Sequence, residues 1–266
     1  EAPAQKMNMY SPLIRYTLHL ADNALIMGHR CSEWCGHGPV LEQDIALANL
    51  ALDYVGTARN FYQYAAEMIN AADPAQQATE DSLAYLRDAG DFYNNHIAEL
   101  PNGDWAQTTL KEFFFSVYQQ GVYRQLLHSS DAQIAAVAEK GLKEIDYHVR
   151  WSSEWVVRLG DGTEESKDRL LKALDEVWLH TGELFASDDH DAQLIQENIA
   201  ADLQLVYTHW RTTVEKVFEE ATIAVPAPAK TAAWMGNGRK GIHTEHLGYI
   251  LAEMQYLQRA YPGCEW

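Results

Sequence analysis

The stretch LEQDIALANLALDYVGTARNFYQYAAEMINA, Leu41 to Ala71, decides the reading of the fold. Apolar residues recur along it at helical steps: Ile45, Ala48, Leu52 and Val55, with Phe61 and Tyr64 further on. No proline interrupts it, and the CGHGP run before it, residues 35–39, is a helix stop. The spacing predicts one helix of roughly thirty residues, where globular helices average about 11–12. A helix of that length belongs to a bundle of long helices.

The rest of the chain agrees. Upstream, Ile14, Leu18, Ala21 and Leu25 alternate at four- and three-residue steps and predict a helix between Ser11 and Trp34. Downstream, Asp73 to Asp104 reads as short helices between turns. Long helices follow over about Trp105–His128 and Ala132–Leu159. The GDGT turn ends the second of these, and Thr163 is placed to cap a helix reaching about Phe185, with Glu164 and Glu165 suiting its positive end. A helix over Asp191–Ala221, an extended loop over Val225–Gly241 and a last helix over Ile242–Arg259 complete the reading. No period-two run bounded by a hairpin turn occurs. The expected fold is all-α: a long four-helix bundle with additional short helices, in a single domain over residues 10–266. Residues 1–9 read as a tag or flexible leader, with Met7 or Met9 as a native start.

Composition excludes several functions. Twenty basic residues stand against 38 acidic ones, a net charge of −18, which repels nucleic acid and anionic membrane and favours protein partners. No run of 18 apolar residues is present to span a bilayer. Three cysteines, Cys31, Cys35 and Cys264, form no disulfide framework and read as reduced thiols of a cytoplasmic protein. Cys31, Cys35 and His37 lack the spacing of a zinc knuckle and read as helix-face packing.

Long helical bundles often hold two iron ions, bound by a Glu from each of two helices and a Glu-x-x-His pair from each of the other two. None of the glutamates here, and no aspartate, has a histidine three residues downstream. The nearest pairs are Glu33 with His37, Glu144 with His148 and Glu176 with His180, all four apart. That spacing also shares a helix face, so Glu33, His37, Glu144 and His148 remain an unorthodox candidate set for a metal-binding oxygenase. Storage of the ferritin kind lacks its carboxylate-rich site.

Four stretches carry a resemblance: residues 33–61 (EWCGHGPVLEQDIALANLALDYVGTARNF), 100–108 (LPNGDWAQT), 143–163 (KEIDYHVRWSSEWVVRLGDGT) and 240–263 (KGIHTEHLGYILAEMQYLQRAYPG). With them the chain, from about Tyr16 to Trp266, resembles the PaaC family, structural subunits of the bacterial ring-1,2-phenylacetyl-CoA epoxidase. The resemblance implies a ferritin-like fold. It also implies a catalytic di-iron partner, PaaA, that binds phenylacetyl-CoA, together with other epoxidase subunits and a flavin/iron–sulfur reductase. The complex would use NADPH and O2 to form the ring epoxide. Where the catalytic relative has the Glu and His of its first motif, this chain has Tyr54 and Thr57; in the second motif Ile145 replaces the Glu and only His148 survives. The resemblance therefore implies no catalytic, metal or cofactor-binding residue and no cofactor in this chain, a degenerate di-iron site, and a role in pairing with PaaA; a homodimer is a further option.

The remaining motifs have structural readings. His148 is expected to be a hydrogen-bonded core residue. His243, Glu245 and His246 of HTEH are expected to cap a helix and meet a partner, with the surrounding GNGRKGIHTEHLG as the partner-facing segment. Trp151, Trp155, Met254, Tyr256 and Leu257 read as core or interface. Arg239 and Lys240 form a basic spot too small for a phosphate.

Overall fold

A computed structural model of the chain describes residues 10–187, 189–230 and 236–264. The leader expected at residues 1–9 lies outside the described residues, as do residues 231–235 of the expected loop. The fold is all-α, and no strand occurs among the described residues. None of the described helices is long and apolar enough to cross a membrane. The chain divides into two compact units, the first formed by the described residues up to Leu100 and from Gly236 onward, the second by those from Pro101 to Lys230.

The first unit is built on the pair α1 (Pro12–Ser32) and α2 (Leu41–Ala72). Ser11 starts α1 by accepting a hydrogen bond from the Ile14 N–H at 3.3 Å, with Pro12 in the first turn, where a missing N–H does no harm. Every residue of α1 from Ile14 to Gly28 is buried, including Arg15, Thr17, His19, Asp22 and Asn23. In α2 no side chain caps the start; Glu42 and Asp44 in the first turn compensate its positive end instead. The face α2 buries is Leu47, Leu50, Ala51, Tyr54, Ala58, Phe61, Ala65 and Ile69. The stripe read from the sequence is corrected here: Ile45 and Leu52 lie on the outer side of the helix, and Val55 at its edge beside Gly28 of α1. The short helices α3 (Glu80–Tyr85) and α4 (His96–Glu99) follow. The chain returns to this unit at its end through α10 (Glu245–Met254) and α11 (Tyr256–Ala260), the helices α5 to α9 between them belonging to the second unit.

In the second unit, α5 (Trp105–Leu126) packs on α6 (Ala132–Gly160). From Thr108 to Tyr123 α5 is buried without interruption, covered on all sides as a central helix is. Asp104 and Asp131 cap the two helices. Thr163 caps α7 (Glu164–Val177), as read from the sequence, and Ser166 completes a reciprocal capping box. That helix ends earlier than expected, and two 3-10 turns carry the chain to Phe185. The helix expected over Asp191–Ala221 is two, α8 (Asp189–Gln196) and α9 (Leu203–Glu220). Between them Asn198 takes φ 56° and its side chain donates to the His128 carbonyl, while Asp202 caps α9. Phe114, Trp178, Trp210 and Phe218 pack ring against ring beneath α7 and α9, and Trp210 donates its indole N–H to the Phe114 carbonyl at 2.9 Å.

The ends of α6 and α9 meet at Gly160. A Cβ there would lie 2.3 Å from the Ala221 carbonyl oxygen and 2.8 Å from its Cβ. Gly160→Ala is expected to lower stability by about 1–3 kcal/mol, through overpacking against backbone that cannot retreat. Urea unfolding of the purified variant checks this; an unchanged midpoint would show that the junction is loose.

Candidate functional site

The four positions at which the resemblance sets di-iron ligands can be followed one by one. Tyr54 and Thr57 are buried on α2, and Ile145 and His148 are buried on α6. In place of the expected ligands, a phenol, a hydroxyl and a branched alkyl chain bring neither charge nor imidazole. On α6, His148 has no exposed surface, and its Nδ1 lies 3.5 Å from Oε1 of Glu112, an equally buried carboxylate of α5. Ser152 donates to the His148 carbonyl at 2.7 Å and stands 3.4 Å from Ser116 across the two helices. Next to Glu112 in the chain, buried Lys111 donates to the Asn102 side chain at 3.0 Å. One carboxylate facing one imidazole does not fit a di-iron centre, whose hard cations need several bridging carboxylates.

The unorthodox set fares no better. Glu33 is exposed and pairs with Arg30 at 2.7 Å, and His37 is exposed in the turn before α2. Glu144 is only half-buried beside fully buried His148. Cys31 is buried at the end of α1, but Cys35 is exposed, so the shared packing face expected for Cys31, Cys35 and His37 does not form. Glu176 and His180 lie at the end of α7 and in the turn after it, Glu176 exposed.

Among the described residues, the group of three that could surround a cation is His96, Glu99 and His243, none of them in a Glu-x-x-His pattern. It lies within the first unit, in a buried polar seam along α1. At one end of the seam Asp22 accepts hydrogen bonds from Arg87, from the Tyr62 hydroxyl and, at 2.8 Å, from the Tyr93 N–H. The Arg87 guanidinium lies 4.2 Å from the centre of the Phe92 ring. In the middle, Asn23 and Asn95 exchange hydrogen bonds: the Asn23 amide donates at 3.0 Å and the Asn95 N–H returns one at 2.8 Å. At the other end Glu99 accepts from the Asn94 amide, the Thr244 N–H and His243.

The partners set the charge of each histidine. His19 Nδ1 faces the Tyr93 carbonyl at 2.7 Å, and its Nε2 faces the Asn23 amide at 3.3 Å. One acceptor and one donor suit a neutral ring. Burial first, then the Arg239 charge, hold its pKa well below the ordinary value despite the carbonyl bond. His243 differs: Nδ1 faces Glu99 Oε2 at 2.9 Å and Nε2 faces the Phe92 carbonyl at 2.8 Å. Two acceptors require two N–H donors, an imidazolium. Burial opposes that charge, but the bond to Glu99 and its charge outweigh it and raise the His243 pKa. Glu99 mirrors this: burial would raise its carboxyl, and His243, Asn94 and the Thr244 N–H bring it below the ordinary value. With His243 a double donor and His96 Nε2 against the Ile242 carbonyl at 2.7 Å, the trio is arranged to hold a proton rather than a metal.

A pH dependence follows. The His243 contribution is complete below the ordinary histidine value of about 6.5 and is lost as pH rises through its raised value. The Glu99 contribution is complete above the ordinary carboxyl value of about 4.3 and is lost as pH falls through its lowered one. His19 acts in the opposite sense, since lowering the pH charges it only in the unfolded chain. His243→Gln is therefore expected to lower stability by about 2 kcal/mol near pH 6 and by less at pH 9. Thermal melts of both proteins across that range isolate the effect; an equal gap at every pH would refute the imidazolium assignment.

The HTEH reading is thus partly corrected. Thr244 is the N-cap of α10, accepting from the His246 N–H at 3.3 Å, and Glu245 is exposed in its first turn, but His243 is locked inside the seam. Arg239 is buried, so no basic surface spot forms with Lys240. Trp151 is buried and Trp155 half-buried, both edge-to-face with Trp105 at 5.9 and 5.2 Å, while Tyr256 and Leu257 are exposed. Sequence reasoning missed Glu112 and Asp22. The signal for Glu112 was a Lys–Glu pair set directly before three phenylalanines, LKEFFF over residues 110–115; for Asp22, an acid inside the apolar run of α1.

Comparison with known proteins places this geometry. A family model described as phenylacetic acid catabolic protein matches residues 1–266. A curated relative from Escherichia coli (strain K12), the C component of 1,2-phenylacetyl-CoA epoxidase, is 44% identical over 254 residues, which cover 96% of this chain and 99% of the relative.

Proposed function

Since the chain belongs to the phenylacetic acid catabolic protein family, we propose that it is the non-catalytic structural subunit of a cytoplasmic phenylacetyl-CoA epoxidase, pairing with the di-iron catalytic subunit PaaA and stabilising it. The Escherichia coli relative, itself one component of such an epoxidase, supports membership of a multi-subunit enzyme. The observation that carries the structural role is the set of residues at the positions of the missing ligands. In the first unit Tyr54 and Thr57 are buried on α2; in the second, Ile145 is buried on α6 and the one imidazole, His148, faces Glu112. Helices whose inward positions carry such buried side chains are close-packed and stiff, which suits a scaffold. Free thiols at Cys31, Cys35 and Cys264 agree with a reducing compartment.

The test is metal content and turnover of the chain purified alone and with its catalytic partner. Expected are iron well below one per chain, no turnover of phenylacetyl-CoA alone, and a stable complex that does turn over. Two metal ions per chain, or epoxidation by the chain alone, would overturn the reading.

A further inference from the structure

Leu41, Ile45, Ala48, Leu52 and Val55 follow one another on α2 at steps of four, three, four and three, along the side turned away from its buried face, with Val55 at the edge beside Gly28 of α1. Leu41 is 71% exposed, Ile45 51%, Leu52 70% and Val55 37%. Single exposed apolar residues are ordinary on a protein surface, but four large ones in line are a patch. Their spacing is that of a seam between two helices.

A second observation concerns Gly56, one residue past Val55. A Cβ built on it would meet nothing within 4 Å. Nothing inside the chain calls for glycine there, and glycine weakens a helix interior. On an outer face it does permit the backbone of another helix to come close.

The charges around the seam narrow the occupant. Glu42, Asp44 and Asp53 border it, and the only cation of α2, Arg59, lies 3.4 Å from Glu80. A second copy of a chain with net charge −18 would set carboxylates against carboxylates. We infer that this face of α2 receives an amphipathic helix of the catalytic subunit. The apolar residues of that helix fill the Leu41–Val55 seam, and its Lys or Arg residues face Glu42, Asp44 and Asp53. The inference rests on the pairing proposed above.

The experiment is titration of the purified catalytic partner into the purified chain by calorimetry, with the oligomeric state of the chain alone measured beside it. Ile45→Glu/Leu52→Glu is expected to weaken binding at least about 30-fold, with the melting temperature of the free chain unchanged. Leu205→Glu, on an exposed leucine of α9, is the control and should bind as the wild type does. Gly56→Ala should separate the two properties, raising the melting temperature of the free chain by about 2 °C while weakening the complex. Wild-type binding that the double variant leaves intact would overturn the assignment of this face and leave the pairing standing. No wild-type binding would overturn both. A chain that is dimeric alone and becomes monomeric in the double variant would give the face to a second copy, which also overturns the inference.

Discussion

Asp22→Ala is expected to remove about 3–5 kcal/mol from the stability of the first unit. The carboxylate is fully buried and is the shared acceptor for the Arg87 guanidinium, the Tyr62 hydroxyl and the Tyr93 N–H. Burial works against the charge of Arg87, and Asp22 more than offsets it. Without the carboxylate, a buried cation and two buried donors lose this shared acceptor together, and Arg87 keeps only neutral acceptors such as the Leu83 and Asp91 carbonyls. Removal of one member of a buried ion pair costs about 3–5 kcal/mol, against a total stability of about 5–15 kcal/mol for an ordinary domain. The variant should therefore accumulate poorly at 37 °C or melt well below the wild type. Asp22→Asn keeps an acceptor but not the charge and should fall between the two. Urea denaturation of all three proteins decides the matter: a loss under about 1 kcal/mol in Asp22→Ala would mean that water or another group replaces the carboxylate.

The second large effect is at Glu112 and His148. His148→Ala should be costly, about 2–4 kcal/mol, since it removes a fully buried ring and leaves a cavity beside Glu112. Glu112→Leu/His148→Leu removes both polar groups and fills their volume. Such replacements are commonly neutral or stabilising, so the double variant should recover to within about 1 kcal/mol of the wild type or exceed it. The same protein tests the scaffold reading. Assembled with its catalytic partner, it should support epoxidation at the wild-type rate. A double variant that folds and assembles yet supports no turnover would give this pair a part in the chemistry.

The long helices were legible because their signals are local. Stops at residues 35–39 and 160–163, the cap at Thr163 and helical spacing all act within a few residues. The outward side of α2 was not legible. That helix is apolar on two faces, and periodicity alone cannot tell which one the chain itself covers. The break between α8 and α9 depends on Asn198 bonding to His128, 70 residues away, and propensity carries no trace of such a contact. The polar seam was hidden for the same reason. Asp22 and Arg87 are 65 residues apart, and each alone looks like a solvated charge. The absence of a Glu-x-x-His pair, by contrast, is a property of the sequence itself, because that motif is a list of residue types at fixed steps.

The seam also dictates an order of events during synthesis. The first unit is discontinuous: Glu99 is joined to His243, 144 residues later, and Gln255 donates to the Arg87 carbonyl at 2.9 Å from 168 residues away. The second unit is a single continuous segment. A nascent chain leaving the ribosome therefore has everything α5 to α9 require while α1 and α2 still lack their last partners. The middle segment of the polypeptide can mature first, and the segment before it must wait, half-closed and with a buried charge awaiting its mate, until α10 and α11 emerge. Damage to the carboxy-terminal tail, by premature termination or by a trimming protease, would thus be felt at the opposite end of the gene product.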